Sequence, residues 1–355
     1  MKNARLIAFH LPQFHPTPEN DAWWGKGFTE WTNVAKAKPL FPGHYQPHLP
    51  ADLGFYDLRL PAARHAQAEL AREYGIAGFC YYHYWFGGRR ILEQPVNQIL
   101  LSREPDFPFC LCWANHSWNT AWQGTTETLI EQVYPGWDDH AAHFEWLLRA
   151  FTDPRYLKID DKPIFVIYRP DDIPNVAEVM AFWRDRAARA GLPGLHIIGV
   201  SHRNEGWDPR PRGLNASMMQ ALPRRDGRIP RRYLALKLKL ALQGNRHELS
   251  IWNYKDIRSI LLRGNRPDWL DYPIVLPNWD NTPRTGMRGL VFHDATPELF
   301  RGHLREALSR VEAHPESERV IFLKAWNEWA EGNHVEPDQK WGRAWLEVIK
   351  EELGA

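Results

Sequence analysis

Short apolar runs recur along the chain, separated by stretches in which apolar residues return every three or four positions. The runs cover residues 6–9, 76–82, 109–113, 164–168, 196–200, 216–220, 274–276 and 320–325, and β-branched and aromatic side chains dominate them. Such runs, bounded by Gly, Pro, Asn and Asp, read as buried strands. Residues 58–74, 90–102, 139–151, 176–190, 254–263, 297–313 and 341–352 carry helical spacing instead. Eight strands alternating with helices predict a parallel sheet, and a chain of 355 residues favours its closure into a (β/α)8 TIM-type barrel over a doubly wound sheet. The connection between the fifth and sixth runs is short and poorly helical, so that unit is irregular. With no internal repeat, low-complexity tract or Gly/Ser linker, residues 1–355 read as a single domain.

Polar and aromatic residues gather after the strand ends. His10 and Gln13 follow the first run, and Trp24 lies in the long insertion after it. Tyr82, His83 and Trp85 end the second run, Asn115 and Trp118 follow the third, and Tyr168 ends the fourth. Trp279 and Asp280 follow the seventh. The eighth ends in Trp326, Asn327, Glu328, Trp329 and Glu331. One face of a barrel collects such loops into a single cleft, so these residues are the candidate site.

Composition narrows the chemistry. A formal net charge of +1 gives no global attraction to nucleic acid or an anionic membrane, and the 44% hydrophobic and 25% charged fractions are those of an ordinary globular chain. The N-terminal apolar run is broken by His10 and Pro12 before it forms the core of a secretory signal, and no stretch reaches membrane-spanning length, which predicts a cytoplasmic protein. Cys80, Cys110 and Cys112 lie in strand interiors without metal-ligand spacing and are expected to be free core residues. Trp occurs 18 times, often beside Gly, Asn, His and Pro, and flat rings in polar loops suit stacking on sugars. Residues 221–250 form a lid-like basic insertion after the sixth strand. Arg224, Arg225, Arg228, Arg231, Arg232, Lys237, Lys239 and Arg246 lie in its 223–247 segment. This reads either as a solvated basic face or as a peripheral contact with a lipid headgroup, and otherwise no membrane or nucleic-acid partner is expected.

No phosphate-binding glycine loop follows a strand, no nucleophile elbow is present, and the histidines lack the spacing of a metal site. No cofactor and no metal are therefore expected. Two glutamates among tryptophans and asparagines match what glycosidic chemistry needs: one carboxylic acid to protonate the departing oxygen and one carboxylate as base or nucleophile. The competing reading is a non-catalytic barrel whose carboxylates only accept hydroxyl hydrogen bonds.

The blocks AFHLPQFHP, DAWWGKGFTEWTNV, GFCYYHYWF, WANHSW and AWNEWAEGNHVEPD resemble the WbsX-type glycosyltransferase family, whose domain is similar to glycoside hydrolase family 99. The resemblance runs from about residue 5 to about residue 350. It implies a (β/α)8 barrel acting on an oligosaccharide or cell-surface polysaccharide such as O-antigen, in free or lipid-linked form, with related hydrolases cleaving internal α-mannosidic linkages with retention. Onto NEWAE it carries Glu328 as base and Glu331 as general acid, with the base deprotonating the sugar's own 2-hydroxyl to form a 1,2-anhydro intermediate. Ala330 stands where many of the hydrolases are expected to carry histidine.

Overall fold

A computed structural model describes residues 4–120, 127–202, 205–223, 225–233, 236, 238, 249–262 and 264–355. Nine strands build its main parallel sheet: β1 (Arg5–His10), β2 (Ile76–His83), β3 (Phe109–Trp113), β4 (Lys162–Ile167), β5 (His196–His202), β6 (Ala216–Gln220), β7 (Asp271–Tyr272), β8 (Ile274–Val275) and β9 (Val320–Leu323). Their spatial order is β7-β6-β5-β4-β3-β2-β1-β9-β8. β7 and β8 are separated by Pro273 alone, so the two ends of the sheet meet in one residue and the barrel closes. The seventh run is observed as β8, and β7 on the other side of Pro273 is an added strand that the sequence did not reveal. Proline has no N–H for the ladder, so Tyr272 pairs with β6 and Ile274 with β9, while the Pro273 carbonyl accepts from Phe322 N at 3.0 Å.

The strand interiors are mostly apolar because both faces are covered. Every residue of β3, β6 and β9 is buried. Outside the barrel lie the expected helices, with their ends shifted by a few residues: α3 (Pro61–Glu73), α4 (Gln94–Ser102), α5 (Trp137–Phe151), α6 (Val176–Arg189), α7 (Tyr254–Leu261), α9 (Pro297–Val311) and α10 (Ala344–Leu353). Three short helices that the periodicity did not reveal lie in the loops: α1 (Pro18–Trp24), α2 (Glu30–Lys36) and α8 (Thr282–Thr285). None of the described helices is long and apolar enough to cross a membrane.

Cys80, Cys110 and Cys112 are free and buried. A second parallel pair, Ser250–Asn253 with Leu290–His293, lies outside the barrel. It packs with Phe41, Tyr233, Leu249, Ile251 and Val291 into a small separate core, which anchors part of the chain that follows β6. Of the basic residues expected on a lid, Arg224, Lys237, Lys239 and Arg246 lie outside the described residues. Arg228 lies over the Trp252 ring at 4.3 Å, and Arg232 pairs with Asp294 at 2.9 Å.

Candidate active site

The site is built on the chain that leaves β9. Lys324 follows the last strand residue, and the chain then forms a hairpin in which Asn327–Glu328 pairs with Asn333–His334. Trp329–Glu331 makes the turn, and Gly332 completes it at φ 58°. Buried contacts seat the hairpin: Trp326 N donates to Phe9 O at 2.8 Å, and the Asn327 amide brackets Leu11, accepting from its N at 2.7 Å and donating to its O at 3.1 Å. The hairpin is thereby fixed to the end of β1. Glu328 and Glu331 both border a cavity of about 850 Å³ at the C-terminal ends of the strands.

Each glutamate has its own cation. Lys324 Nζ donates to Glu328 Oε1 at 2.9 Å and Oε2 at 2.8 Å, and to Tyr82 OH at 2.9 Å. Arg284, from α8, contacts Glu331 Oε1 at 2.6 Å and Glu30 Oε1, from α2, at 2.7 Å. Burial pushes the Glu328 carboxyl up, but Lys324, with Arg284 and Glu331 assisting, holds the group below its ordinary value. Glu331 goes the other way. Burial lifts it to about 7, with the Glu328 anion adding to the rise and Arg284 opposing it. Glu30 is also raised, by burial against the pull of Arg284. One hairpin therefore presents an ionised carboxylate beside a carboxyl that holds its proton to near neutrality.

Aromatic and hydrogen-bonding groups complete the wall. Tyr82, Tyr84, Trp118, Tyr168 and Trp279 line it together with Gln13, Trp24, His116 and Arg169. Burial, aided by Arg169, pushes His116 down to about 4, so its ring is neutral and suited to hydroxyl recognition.

Eight of the fourteen expected sugar contacts lie behind this wall. His10 bonds Gln67 at 3.2 Å, His83 bonds His143 at 2.9 Å, and Trp85 donates to Asp139 at 3.0 Å. Asn115 accepts from Arg169 N at 2.8 Å and orients that loop. Asp280 accepts from His44 at 2.6 Å and Gln46 at 2.7 Å. Trp326 and Asn327 are fully buried, and Trp329 donates to Glu336 Oε2 at 2.6 Å. These residues support the site without reaching the cavity, a correction to their reading as sugar contacts. Sequence reasoning missed Lys324, Arg284, Glu30 and His116. Lys324 stands inside the eighth run and Glu30 and His116 inside the quoted blocks, and no local pattern marks Lys324 or Arg284 as a partner of the glutamates. Among the described residues, one group of metal-ligand type comes together outside the cavity: His48, His334 and Asp338.

Comparison with known proteins bears on this geometry. The sequence model of the family described as Glycosyltransferase WbsX matches residues 6–349. Proteins called uncharacterized protein WxcX, from two strains of Xanthomonas campestris pv. campestris, are 40% identical over 352 residues, covering 99% of this chain and 50% of each relative. The chain thus spans about half the length of the curated relatives it matches. Among solved structures, a glycoside hydrolase-like protein superposes with a TM-score of 0.59 at 17% identity, covering 99% of this chain and 94% of the other. The GH99 endo-alpha-mannosidase from Bacteroides thetaiotaomicron superposes with a TM-score of 0.58 at 13% identity, covering 99% and 96%. At those identities the likeness is one of fold.

Proposed function

We propose that this chain, which belongs to the WbsX glycosyltransferase family, is a carbohydrate-active enzyme that makes or breaks glycosidic bonds in a cell-surface polysaccharide, with Glu328 as base and Glu331 as acid. The observation that carries this reading is the split of the two carboxyls. Lys324 keeps Glu328 ionised, while burial and the neighbouring anion keep Glu331 protonated to about 7. Acid–base pairs work when their environments push the two values apart.

In the proposed reaction Glu328 removes the proton from the 2-hydroxyl of the sugar, and that oxygen attacks the anomeric carbon. The bond to the departing oxygen breaks as Glu331 hands it a proton. The product is a 1,2-anhydro sugar whose bridging oxygen lies on the face opposite the departing group. Water or an acceptor hydroxyl then opens it from the other side, giving its proton to Glu331 while the 2-oxygen recovers one from Glu328, so overall configuration is retained. Arg284, 2.6 Å from Glu331 Oε1, stabilises the carboxylate that appears when the acid has given up its proton. Tyr82, Tyr168, Trp118 and Trp279 offer faces for the sugar rings, and Gln13 and His116 offer polar groups for hydroxyls.

The test is Glu331→Gln assayed on α-mannans and, separately, on nucleotide sugars with an acceptor glycan. Turnover is expected to disappear while glycan binding persists. Full activity in the variant removes the mechanism, and a wild type that binds glycan yet never alters it supports the non-catalytic barrel. Which of the two substrates turns over separates hydrolysis from transfer.

A further inference from the structure

Outside the cavity, three potential ligand atoms converge beneath the hairpin that carries the glutamates. His334 closes that hairpin opposite Asn327, and its ring lies on Trp329 with centroids 3.7 Å apart at 15°. Its Nδ1 is 3.0 Å from the Glu336 carbonyl. A carbonyl only accepts, so Nδ1 carries the hydrogen and Nε2 presents a bare lone pair, the tautomer that a metal-binding histidine shows when a second group orients it. That Nε2 lies 3.0 Å from His48 Nδ1 and 3.8 Å from Asp338 Oδ2. The three atoms are within 4.8 Å of one another, and all three residues are buried. The other Asp338 oxygen is already engaged, because Oδ1 accepts from Lys340 N at 2.8 Å and Trp341 N at 2.6 Å.

We propose that His48 Nδ1, His334 Nε2 and Asp338 Oδ2 form a structural site for a zinc-class divalent ion, which fastens the loop carrying His48 to the hairpin carrying Glu328 and Glu331. Two ligands held at about 2.0–2.1 Å from a tetrahedral zinc stand roughly 3.3 Å apart. The observed gaps of 3.0 and 3.8 Å from His334 lie on either side of that value, and His48 Nδ1 and Asp338 Oδ2 are within 4.8 Å of each other, so seating the ion draws the Asp338 carboxylate toward the two rings, with a water or hydroxyl in the fourth position. The simpler arrangement is an N–H···N bond from His48 to His334. It joins the two rings but leaves Asp338 Oδ2 beyond hydrogen-bond reach of the ring it faces. An ion joins all three.

The location gives the site a purpose. The His48 loop also supplies His44 and Gln46, which hold Asp280 at 2.6 and 2.7 Å, and Asp280 N donates to Glu331 O at 2.6 Å. The loop thus already grips the glutamate turn through Asp280. An ion at His334 adds a second grip at the far end of the same hairpin.

The experiment uses the full chain, stripped with a chelator, dialysed against zinc and analysed by elemental mass spectrometry beside His48→Gln and Asp338→Asn. The asparagine keeps the Oδ1 cap on residues 340 and 341, so that variant is expected to fold, which circular dichroism checks. Wild type should retain zinc in a one-to-one ratio, bind it at least tenfold more tightly than either variant, and gain thermal stability from it that both variants lack. Cobalt in place of zinc should give the intense visible absorption of a tetrahedral site in the wild type alone. Equal zinc content and equal thermal shifts in all three proteins overturn the proposal, as does a wild type that retains none. Metal content is read without any turnover assay, so either result leaves the acid–base reading to stand or fall on Glu331→Gln.

Discussion

Glu328 and Glu331 are three positions apart in one turn, yet their neighbours drive them to opposite states. Burial alone raises Glu328, and the Lys324 ammonium 2.8–2.9 Å away, with help from Arg284 and from Glu331, turns the shift downward. Burial also raises Glu331, and there Arg284 only moderates the rise to about 7. The pH profile follows from these signs. As the pH climbs through about 7, Glu331 loses the proton it must donate, so kcat/KM falls on the alkaline side. On the acid side the rate falls only below the ordinary carboxylate range, where Glu328 becomes protonated. In Lys324→Met the Glu328 carboxyl is left to burial, its pKa rises, and the acid limb moves to higher pH. An acid limb that stays in place in that variant separates Lys324 from the base. Removing one member of this buried pair also costs about 3–5 kcal/mol of stability. Stability linkage has the matching signs. Glu331 is raised on folding from its ordinary value of 4.5, so its contribution is fully present below that value and is lost as pH rises through about 7. Glu328 is lowered, so its contribution is present above the ordinary value and lost as pH falls through the folded one.

At the scale of the element, the hairpin turns on Gly332. Its φ is 58°, and a Cβ there would lie 2.9 Å from Asp280 Cβ and 3.0 Å from Asp280 N. The left-handed backbone alone costs a non-glycine residue roughly 1–2 kcal/mol, and the contact is with backbone that cannot swing aside. Gly332→Ala should therefore push the turn off Asp280, displace Glu331 and cut kcat more than glycan affinity. Calorimetry showing unchanged melting with unchanged kcat is the outcome that sinks this account. The same hairpin shows where sequence reading stopped. The glutamates were legible because a buried strand runs straight into them. Their partners were not: Arg284 meets Glu331 across 47 positions, and Lys324, although only four positions from Glu328, reaches it where the chain leaves a strand, so no helical spacing announces the pair. Which strand-end residues face the cleft was equally hidden. Successive side chains alternate between faces, so Tyr82 and Tyr84 line the cavity while His83 and Trp85 turn into the helices behind it. Composition placed all four near the site, but the phase of the alternation decides which ones reach it.

For the molecule as a whole, the barrel was readable because buried parallel strands are apolar on both faces and separate cleanly from helices of period 3.6. The break at Pro273 was less so, because strand pairing on both sides of a proline depends on neighbours far away in sequence. That closure also sets the environment of the site. Phe322 of β9 packs on Phe9 with centroids 5.6 Å apart, Phe9 stacks on Tyr82 at 5.5 Å, and Phe322 reaches Tyr272 at 6.2 Å across the closing seam. These rings form an apolar layer in the barrel below Lys324, whose Nζ stands 6.0 Å from the Phe9 ring. The layer keeps water from the Lys324–Glu328 pair and closes the sheet at the same time. Phe322→Ala opens a cavity in it, and loss of a fully buried phenylalanine costs about 3–5 kcal/mol. The expected result is a lower denaturation midpoint together with an alkaline limb of kcat/KM moved to lower pH, since water admitted beneath the hairpin reduces the burial that lifts Glu331 and brings its pKa back toward 4.5. Phe322→Leu, which refills most of the volume, should restore both. If the alanine variant loses stability while its alkaline limb stays at about 7, the layer serves closure alone, and the elevation of Glu331 comes from its immediate neighbours in the hairpin.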